Sequence, residues 1–257
     1  MKYFIIDAFT SELFKGNQAG VCLLDEWLPD NTMQKIAFEN NLSETAFIVT
    51  QSSHYDLRWF TPTVEVDLCG HATLAAAFVI FNFVDTNTTA VQFETKSGLL
   101  TVAKIDDMYA LDFPARKPTS VQLTAAMSEA IGVPALEAHL SRDLLLVLEN
   151  EQQVRGLVPN FDLIKQLDYF AVVVTAKGDN VDFVSRFFTP RGGVPEDPVT
   201  GSAHCSLIPF WAERLNKNKL VAQQLSARGG TLYCQNCDSR VKIAGKAVLY
   251  LQGKIFV

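Results

Sequence analysis

The feature that most constrains the fold is a short pattern that occurs twice, about half the chain apart. Phe60-Thr61-Pro62 recurs 128 residues later as Phe188-Thr189-Pro190, and Gly70-His71-Ala72 is answered 131 residues later by Gly201-Ser202-Ala203. A third glycine match follows in each half at about the same spacing. Both halves therefore share the order strand, FTP turn, glycine, helix, strand, glycine and strand. Such an internal repeat predicts two domains of one design.

The predicted elements indicate an α+β fold with a mostly antiparallel sheet, because many short strands occur without strict alternation with helices. A helix from about Gly70 to Phe83 is apolar nearly all round, which is typical of a helix buried on most faces. A second such helix is predicted from about Gly201 to Leu215. We therefore predict two similar domains, 1–115 and 116–257, each a curved sheet around one central helix. The last strand of the chain is a candidate to pack on the N-terminal domain.

Composition excludes several classes of protein. Hydrophobic residues make up 48% and charged residues 19% of the chain, which excludes a disordered protein. The net charge of −6 and the lack of a basic run argue against a nucleic-acid partner. No apolar stretch approaches the ~20 residues of a membrane span, and no export signal precedes the first strand. We expect a cytoplasmic protein with no membrane partner.

Known cofactor and metal motifs are absent from the sequence. There is no Walker loop and no dinucleotide-binding glycine motif, so no cofactor is predicted. Cys234 and Cys237 form the one CxxC pair, and no second pair or histidine stands at ligand spacing from it. No metal site is therefore predicted.

The two glycine-led helix starts are candidates for a substrate site. A helix start presents free N–H groups and a positive dipole end, which favour a carboxylate. We predict that Gly70, Gly201 and Ser202 bind the carboxylate of a small-molecule substrate in a cleft between the domains. The alternative is that each glycine only turns a strand into a helix, but two matched turns favour the site.

Three titratable side chains are candidates for proton transfer. Glu44 lies between a predicted helix and a strand, where a partly buried carboxylate suits a general base, with the Ser43 and Thr45 hydroxyls expected to orient it. On residue type alone, a solvated turn glutamate is the alternative. Asp197 precedes a helix and could equally be a cap. For His71, the helix dipole is expected to lower the pKa and keep the imidazole neutral; a lone histidine is more often structural.

These segments resemble the PhzF-like phenazine-biosynthesis family over most of the chain. The matching residues are Ile5, Asp7, Ala8 and Phe9 with Gly16-Asn17, then Asn41–Thr45, Phe60–Pro62 with Val66–Ala76, and Phe188–Pro190 with Val194–His204. One departure is Gln18, where the family usually has proline; this change is expected to alter a loop near the cleft and to bear on which substrate is bound.

The resemblance implies the diaminopimelate-epimerase fold and a cofactor-free isomerase, usually a homodimer. It implies a reaction that moves a proton between carbons of a small carboxylic acid. When the roles of the family's motif residues are transferred to the matching positions of this chain, the resemblance implies that Glu44 is the acid/base and that Asp197 and His71 line the site.

Two other functions remain open at the level of sequence. A racemase or epimerase of the same fold would use one cysteine before each helix start, but here Cys69 fills the first position and Thr200 the second. A non-catalytic binding protein could retain the fold. The presence of Glu44, His71 and Asp197 together argues against that alternative.

Overall fold

The computed structural model describes residues 1–257 and contains eighteen strands and six α-helices. The strands are β1 Lys2–Ala8, β2 Asn17–Leu24, β3 Glu44–Thr50, β4 Tyr55–Phe60, β5 Glu65–Val66, β6 Ala90–Thr95, β7 Gly98–Ile105, β8 Met108–Pro114, β9 Thr119–Val121, β10 Glu137–Leu140, β11 Leu144–Val147, β12 Val172–Lys177, β13 Phe183–Thr189, β14 Val194–Asp197, β15 Lys219–Gln224, β16 Gly230–Cys237, β17 Arg240–Gly245 and β18 Ala247–Lys254. The helices are α1 Asp30–Asn40, α2 Gly70–Val79, α3 Ala125–Ile131, α4 Glu151–Gly156, α5 Phe161–Gln166 and α6 Gly201–Leu215.

The chain divides into two compact units. The first comprises Met1–Asp112 and Ala244–Val257, and the second comprises Phe113–Ile243. In the first unit, α2 packs against β1, β2 and β3, and all of its residues except Gly70 and Phe78 are buried. This burial confirms what the all-round apolar composition of the helix predicts.

The second unit is built around α6, which contacts β15 and β16. Eleven of its fifteen residues are buried. A separate part of the core lies where the short helices α3, α4 and α5 cover buried side chains of β11 and β12, including Leu144, Leu146 and Val174. Leucine and valine pack well on such a doubly covered sheet.

The two units pair their strands in the same pattern. In the first, β2–β3 and β4–β6 are parallel, while β1–β2, β3–β4, β4–β5 and β6–β7 are antiparallel. In the second, β11–β12 and β13–β15 are parallel, while β10–β11, β12–β13, β13–β14 and β15–β16 are antiparallel. In both, the central helix follows the short strand that ends the hairpin. The repeat in the sequence therefore corresponds to a repeat of the whole strand pattern.

The repeat also includes an arginine that supports each FTP turn. Arg58 binds Glu65 through two hydrogen bonds of 2.7 and 2.8 Å, and its guanidinium lies 5.2 Å from the ring centre of Phe60. Arg186 binds Glu196 at 2.7 and 2.9 Å and lies 5.0 Å from the ring of Phe188. Bidentate pairs of this type fix both the position and the direction of the two side chains.

A proline inside α6 frees a carbonyl group for another segment. Pro209 lacks an N–H, so the carbonyl of Cys205, four residues earlier, has no helical donor. The backbone N–H of Arg116 donates to that carbonyl at 2.9 Å. The chain segment that enters the second unit is therefore attached to the middle of its central helix.

Some predicted element boundaries are wrong. The helix predicted to run to Phe83 is α-helical only to Val79 and ends in a π-helical turn, Ile80–Val84. The last strand, β18, ends at Lys254 and pairs with β1 of the first unit. None of the helices is both long and apolar enough to cross a membrane.

Candidate active site

Glu44 and His71 are brought together in the first unit. Glu44 begins β3 and His71 is the second residue of α2, and the Oε2 of Glu44 lies 3.0 Å from the Nε2 of His71. The side chains are 18% and 5% exposed, respectively. Both of these atoms are buried and neither has another polar partner. The carboxylate is thus held at one oxygen, while part of the side chain remains open to solvent.

Asn17 holds the other side of the imidazole. Its Nδ2 lies 3.2 Å from the Nδ1 of His71, and its Oδ1 accepts a hydrogen bond of 3.2 Å from the Ser43 hydroxyl. With the amide in this orientation, the ring carries its proton on Nε2, toward Glu44. If the amide were rotated by half a turn, its oxygen would face an imidazolium instead, so Asn17 can serve either protonation state.

The prediction that Ser43 and Thr45 orient Glu44 is wrong. Ser43 donates to Asn17, and the Thr45 hydroxyl accepts a hydrogen bond of 3.1 Å from the side-chain nitrogen of Asn40. Both hydroxyls are therefore hydrogen-bonded to asparagine side chains and not to Glu44. His71 takes the orienting role instead.

The predicted lowering of the His71 pKa is wrong in direction. Burial alone lowers the pKa of an imidazole, but the neighbouring Cys69 sulfur and the Glu44 carboxylate outweigh it and hold the pKa of His71 well above its ordinary value. The Sγ of Cys69 lies 3.5 Å from Nδ1. Burial, with a contribution from Glu44, raises the pKa of the Cys69 thiol. The proton on Nε2 of His71 therefore lies between the imidazole and the Glu44 carboxylate, beside a Cys69 thiol that burial makes hard to ionise.

The same three residues are the best candidates for holding a metal ion. One ligand atom each from Glu44, Cys69 and His71 lies within 4.8 Å of the others, and this donor set suits zinc. However, zinc requires a thiolate and a free imidazole lone pair. The raised pKa of Cys69 opposes the first, and Glu44 and Asn17 face the two ring nitrogens of His71. These side chains fit one another better than they fit a resident metal.

Asp197, at the end of β14, belongs to a second polar cluster in the other unit. Its Oδ2 accepts a short hydrogen bond from the hydroxyl of Thr200. Gln224, the last residue of β15, accepts from the backbone N–H of Thr200 at 2.8 Å and donates to the backbone carbonyl of Asp197 at 2.7 Å. Gln224 and Thr200 were not identified as site residues from the sequence, because 24 residues separate them.

The predicted substrate-binding residues lie at the helix starts. Gly70 and Gly201 are the first residues of α2 and α6, and Ser202 follows Gly201 and is partly exposed. The residues before them, Cys69 and Thr200, make no side-chain hydrogen bond to the first turn. The N–H groups of both helix starts are therefore left without the side-chain cap that a threonine commonly provides.

Comparison with known proteins shows similarity over nearly the whole chain. Residues 6–253 match the family model PhzC-PhzF, described as phenazine biosynthesis-like protein. A protein of Pseudomonas aeruginosa named as an uncharacterized isomerase is 52% identical over 256 residues, covering 99% of this chain and 98% of its own length.

Solved structures show the same fold. A phenazine biosynthesis protein of the PhzF family from Enterococcus faecalis has a TM-score of 0.98 at 49% identity, covering 100% of this chain and 99% of the other. A hydroxyproline epimerase from Agrobacterium vitis has a TM-score of 0.62 at 9% identity, covering 98% of this chain and 91% of the other. The predicted α+β fold, with two similar domains of the epimerase-like class, is confirmed.

Proposed function

Because the chain belongs to the phenazine biosynthesis-like PhzC-PhzF family, we propose that it is an isomerase that moves a proton between two carbons of a small carboxylic acid. Glu44 is the acid/base of this reaction. No organic cofactor or metal takes part. The name of the relative from Pseudomonas aeruginosa supports the reaction class.

The observation that carries the proposal is the pair of Glu44 and His71. A carboxylate fixed at Oε2 by a buried imidazole, 3.0 Å away, has its second oxygen available to a substrate carbon. A positioned carboxylate of this kind can take a proton from one carbon and return it to another. The electron pair released at the first carbon moves through the conjugated substrate to the second, so no oxidant or reductant is needed.

The other predicted residues complete the proposal. Gly70, Gly201 and Ser202 offer helix-start groups for the substrate carboxylate, an interaction of about 0.3–1 kcal/mol per helix and up to ~2 when partly buried. Asp197 assists in proton handling or in holding the substrate. His71 keeps Glu44 in one orientation through repeated cycles of protonation.

A two-thiol racemase finds little support. Cys69 is buried with a raised pKa, and Thr200, which stands in the second position, has a hydroxyl engaged with Asp197. A thiol must ionise to accept a proton from carbon. A binding protein without catalysis would have no need of a buried histidine held against a glutamate carboxylate.

The experiment is solvent deuterium incorporation. The protein is incubated in D2O with a pool of small unsaturated and hydroxylated carboxylic acids, and mass gain is followed by mass spectrometry. We expect at least one acid to gain deuterium with the wild type, and Glu44→Gln to be slower by at least ~10²-fold because it keeps the shape and lacks the base.

Two control variants make the result specific. Glu39→Gln changes an exposed glutamate of α1 and should exchange at the wild-type rate. Cys69→Ala should stay within about tenfold of the wild type, the range of a packing change rather than loss of a base. Equal exchange by Glu44→Gln and the wild type would remove Glu44 from the mechanism, and a thousandfold loss in folded Cys69→Ala would restore the thiol mechanism.

A further inference from the structure

Thr200 has every one of its polar groups in a hydrogen bond with a side chain. Its N–H donates to the Oε1 of Gln224 at 2.8 Å, and its carbonyl accepts from the Nδ1 of His204 at 2.8 Å. Its hydroxyl accepts from the Nε2 of Gln224 at 3.2 Å and donates to Asp197. Gln224 is 1% exposed and His204 is fully buried.

The orientation of the Gln224 amide follows from its partners. Its oxygen faces the Thr200 N–H, and its nitrogen faces two acceptors, the Asp197 carbonyl and the Thr200 hydroxyl. A flipped amide would oppose donor to donor and acceptor to acceptor. The Thr200 hydroxyl accepts a hydrogen bond from Gln224 and donates its own hydrogen to Asp197.

His204 supports the same residue from the helix side. Its Nδ1 faces a carbonyl, so that nitrogen carries the proton, and its Nε2 is buried without a partner. The ring of Phe183 lies 5.8 Å away. Burial lowers the pKa of His204 to about 4, which keeps the ring neutral at physiological pH.

The cluster is not explained by helix capping. A threonine before a helix usually accepts from an N–H of the first turn, which is worth about 1 kcal/mol. Thr200 makes no such bond. Its hydroxyl is directed to Asp197 instead, although this leaves the helix uncapped.

We propose that Gln224 and His204 are positioning residues, which clamp Thr200 so that its hydroxyl fixes the Asp197 carboxylate in one orientation. The catalytic part of this inference, that the orientation of Asp197 matters for the reaction, rests on the proposed function, in which Asp197 contacts the substrate. The geometric part, that Gln224 and His204 hold Thr200 and that Thr200 orients Asp197, does not rest on it. Neither Gln224 nor His204 touches the substrate in this proposal.

The geometric part is tested by carbon-13 NMR of protein labelled at its aspartate carboxyls, with Asp197→Asn to assign the Asp197 signal. A hydrogen bond donated to a carboxylate favours its charged form, so losing it should raise the titration midpoint of Asp197 by about one pH unit. We expect this in Thr200→Val, which lacks the hydroxyl. Thr200→Ser, which keeps it, should titrate like the wild type.

Gln224→Met adds a test that neither removes the hydroxyl nor adds a charge. It removes the amide that holds Thr200 in place, so the hydroxyl is no longer directed to Asp197. The midpoint should rise in the same direction as in Thr200→Val, with no further rise in the double variant. The charged neighbour Glu196 is paired with Arg186. His204, whose pKa is about 4, titrates in the same range but is present in every variant of the series, so it does not account for a difference between variants.

The outcomes separate the two proposals. An unchanged midpoint in folded Thr200→Val overturns the clamp. Shifted midpoints without deuterium exchange by the wild type leave the clamp standing and overturn the proposed function. If exchange occurs, Thr200→Val should lower kcat with KM unchanged and Thr200→Ser should restore it; equal kcat in both overturns the positioning role.

Discussion

Because His204 is buried, the free energy of unfolding of the protein should depend on pH in the acid range. Its pKa is about 4 in the folded chain, against about 6.5 when unfolded. The unfolded chain therefore binds the proton first, and stability that is complete above pH ~6.5 is lost as the pH falls toward 4. We predict a loss of roughly 3 kcal/mol from this group over that range, measured by urea unfolding.

The variant that tests this is His204→Asn. Asparagine keeps a donor near the position of Nδ1 but does not titrate, so His204→Asn should lose most of this pH dependence. An identical slope in His204→Asn and the wild type would contradict the burial argument.

At the residue scale, the sequence identified the reactive groups but not their partners. Glu44 and His71 were predicted as site residues, and the structure places them 3.0 Å apart. Asn17 and Gln224 were given no role in the site, because their contacts join segments distant in sequence. The direction of the His71 pKa shift was predicted wrongly because only the helix dipole was considered, whereas the Cys69 sulfur, two residues away, and the Glu44 carboxylate, from another strand, raise the pKa.

At the element scale, the turn before β2 depends on Gly16. Its φ is +65°, and a Cβ there would lie 2.1 Å from the carbonyl oxygen of Ala8. Gly98 has a φ of +89° with nothing within 4 Å of such a Cβ. We predict that Gly98→Ala costs about 1–2 kcal/mol from backbone strain alone. Gly16→Ala should cost a further ~1–3 kcal/mol from the clash.

Unfolding in urea measures both variants, and the difference between them isolates the clash. Gly16→Ala should also displace the neighbouring Asn17 and so change the imidazole NMR signals of His71, which Gly98→Ala should leave in place. Equal stabilities would show that the turn can relax.

Long apolar elements were predicted more reliably than short ones. α6 has the bounds that its composition predicts, Gly201–Leu215. Of the two six-residue helices, α5 is predicted from the sequence near 161–167, whereas α4 was not, since a segment this short shows little helical period. The arginines of the two FTP turns were also overlooked. Their signal was present, since Arg58 and Arg186 stand two residues before the phenylalanine of each repeat.

At the scale of the whole molecule, we predict that the chain binds no stoichiometric zinc. The thiols of Cys69 and Cys234 are buried with raised pKa values. Cys234 and Cys237 lie three apart on one strand, where side chains point to opposite faces. After dialysis against zinc, elemental analysis should give the same low content for the wild type and Cys69→Ala. One zinc per chain, lost in Cys69→Ala, would contradict this.

Pro209 illustrates how a distant contact can change the effect of a substitution. In an ordinary helix, replacing an interior proline with alanine is favourable by about 3 kcal/mol. Here the new N–H at residue 209 would compete with the N–H of Arg116 for the Cys205 carbonyl. Arg116 lies 93 residues before the proline in the chain. The substitution that is favoured in a generic helix should therefore lose its advantage in this one, so the effect of a change at residue 209 is expected to depend on a backbone group far away in the chain, a form of epistasis.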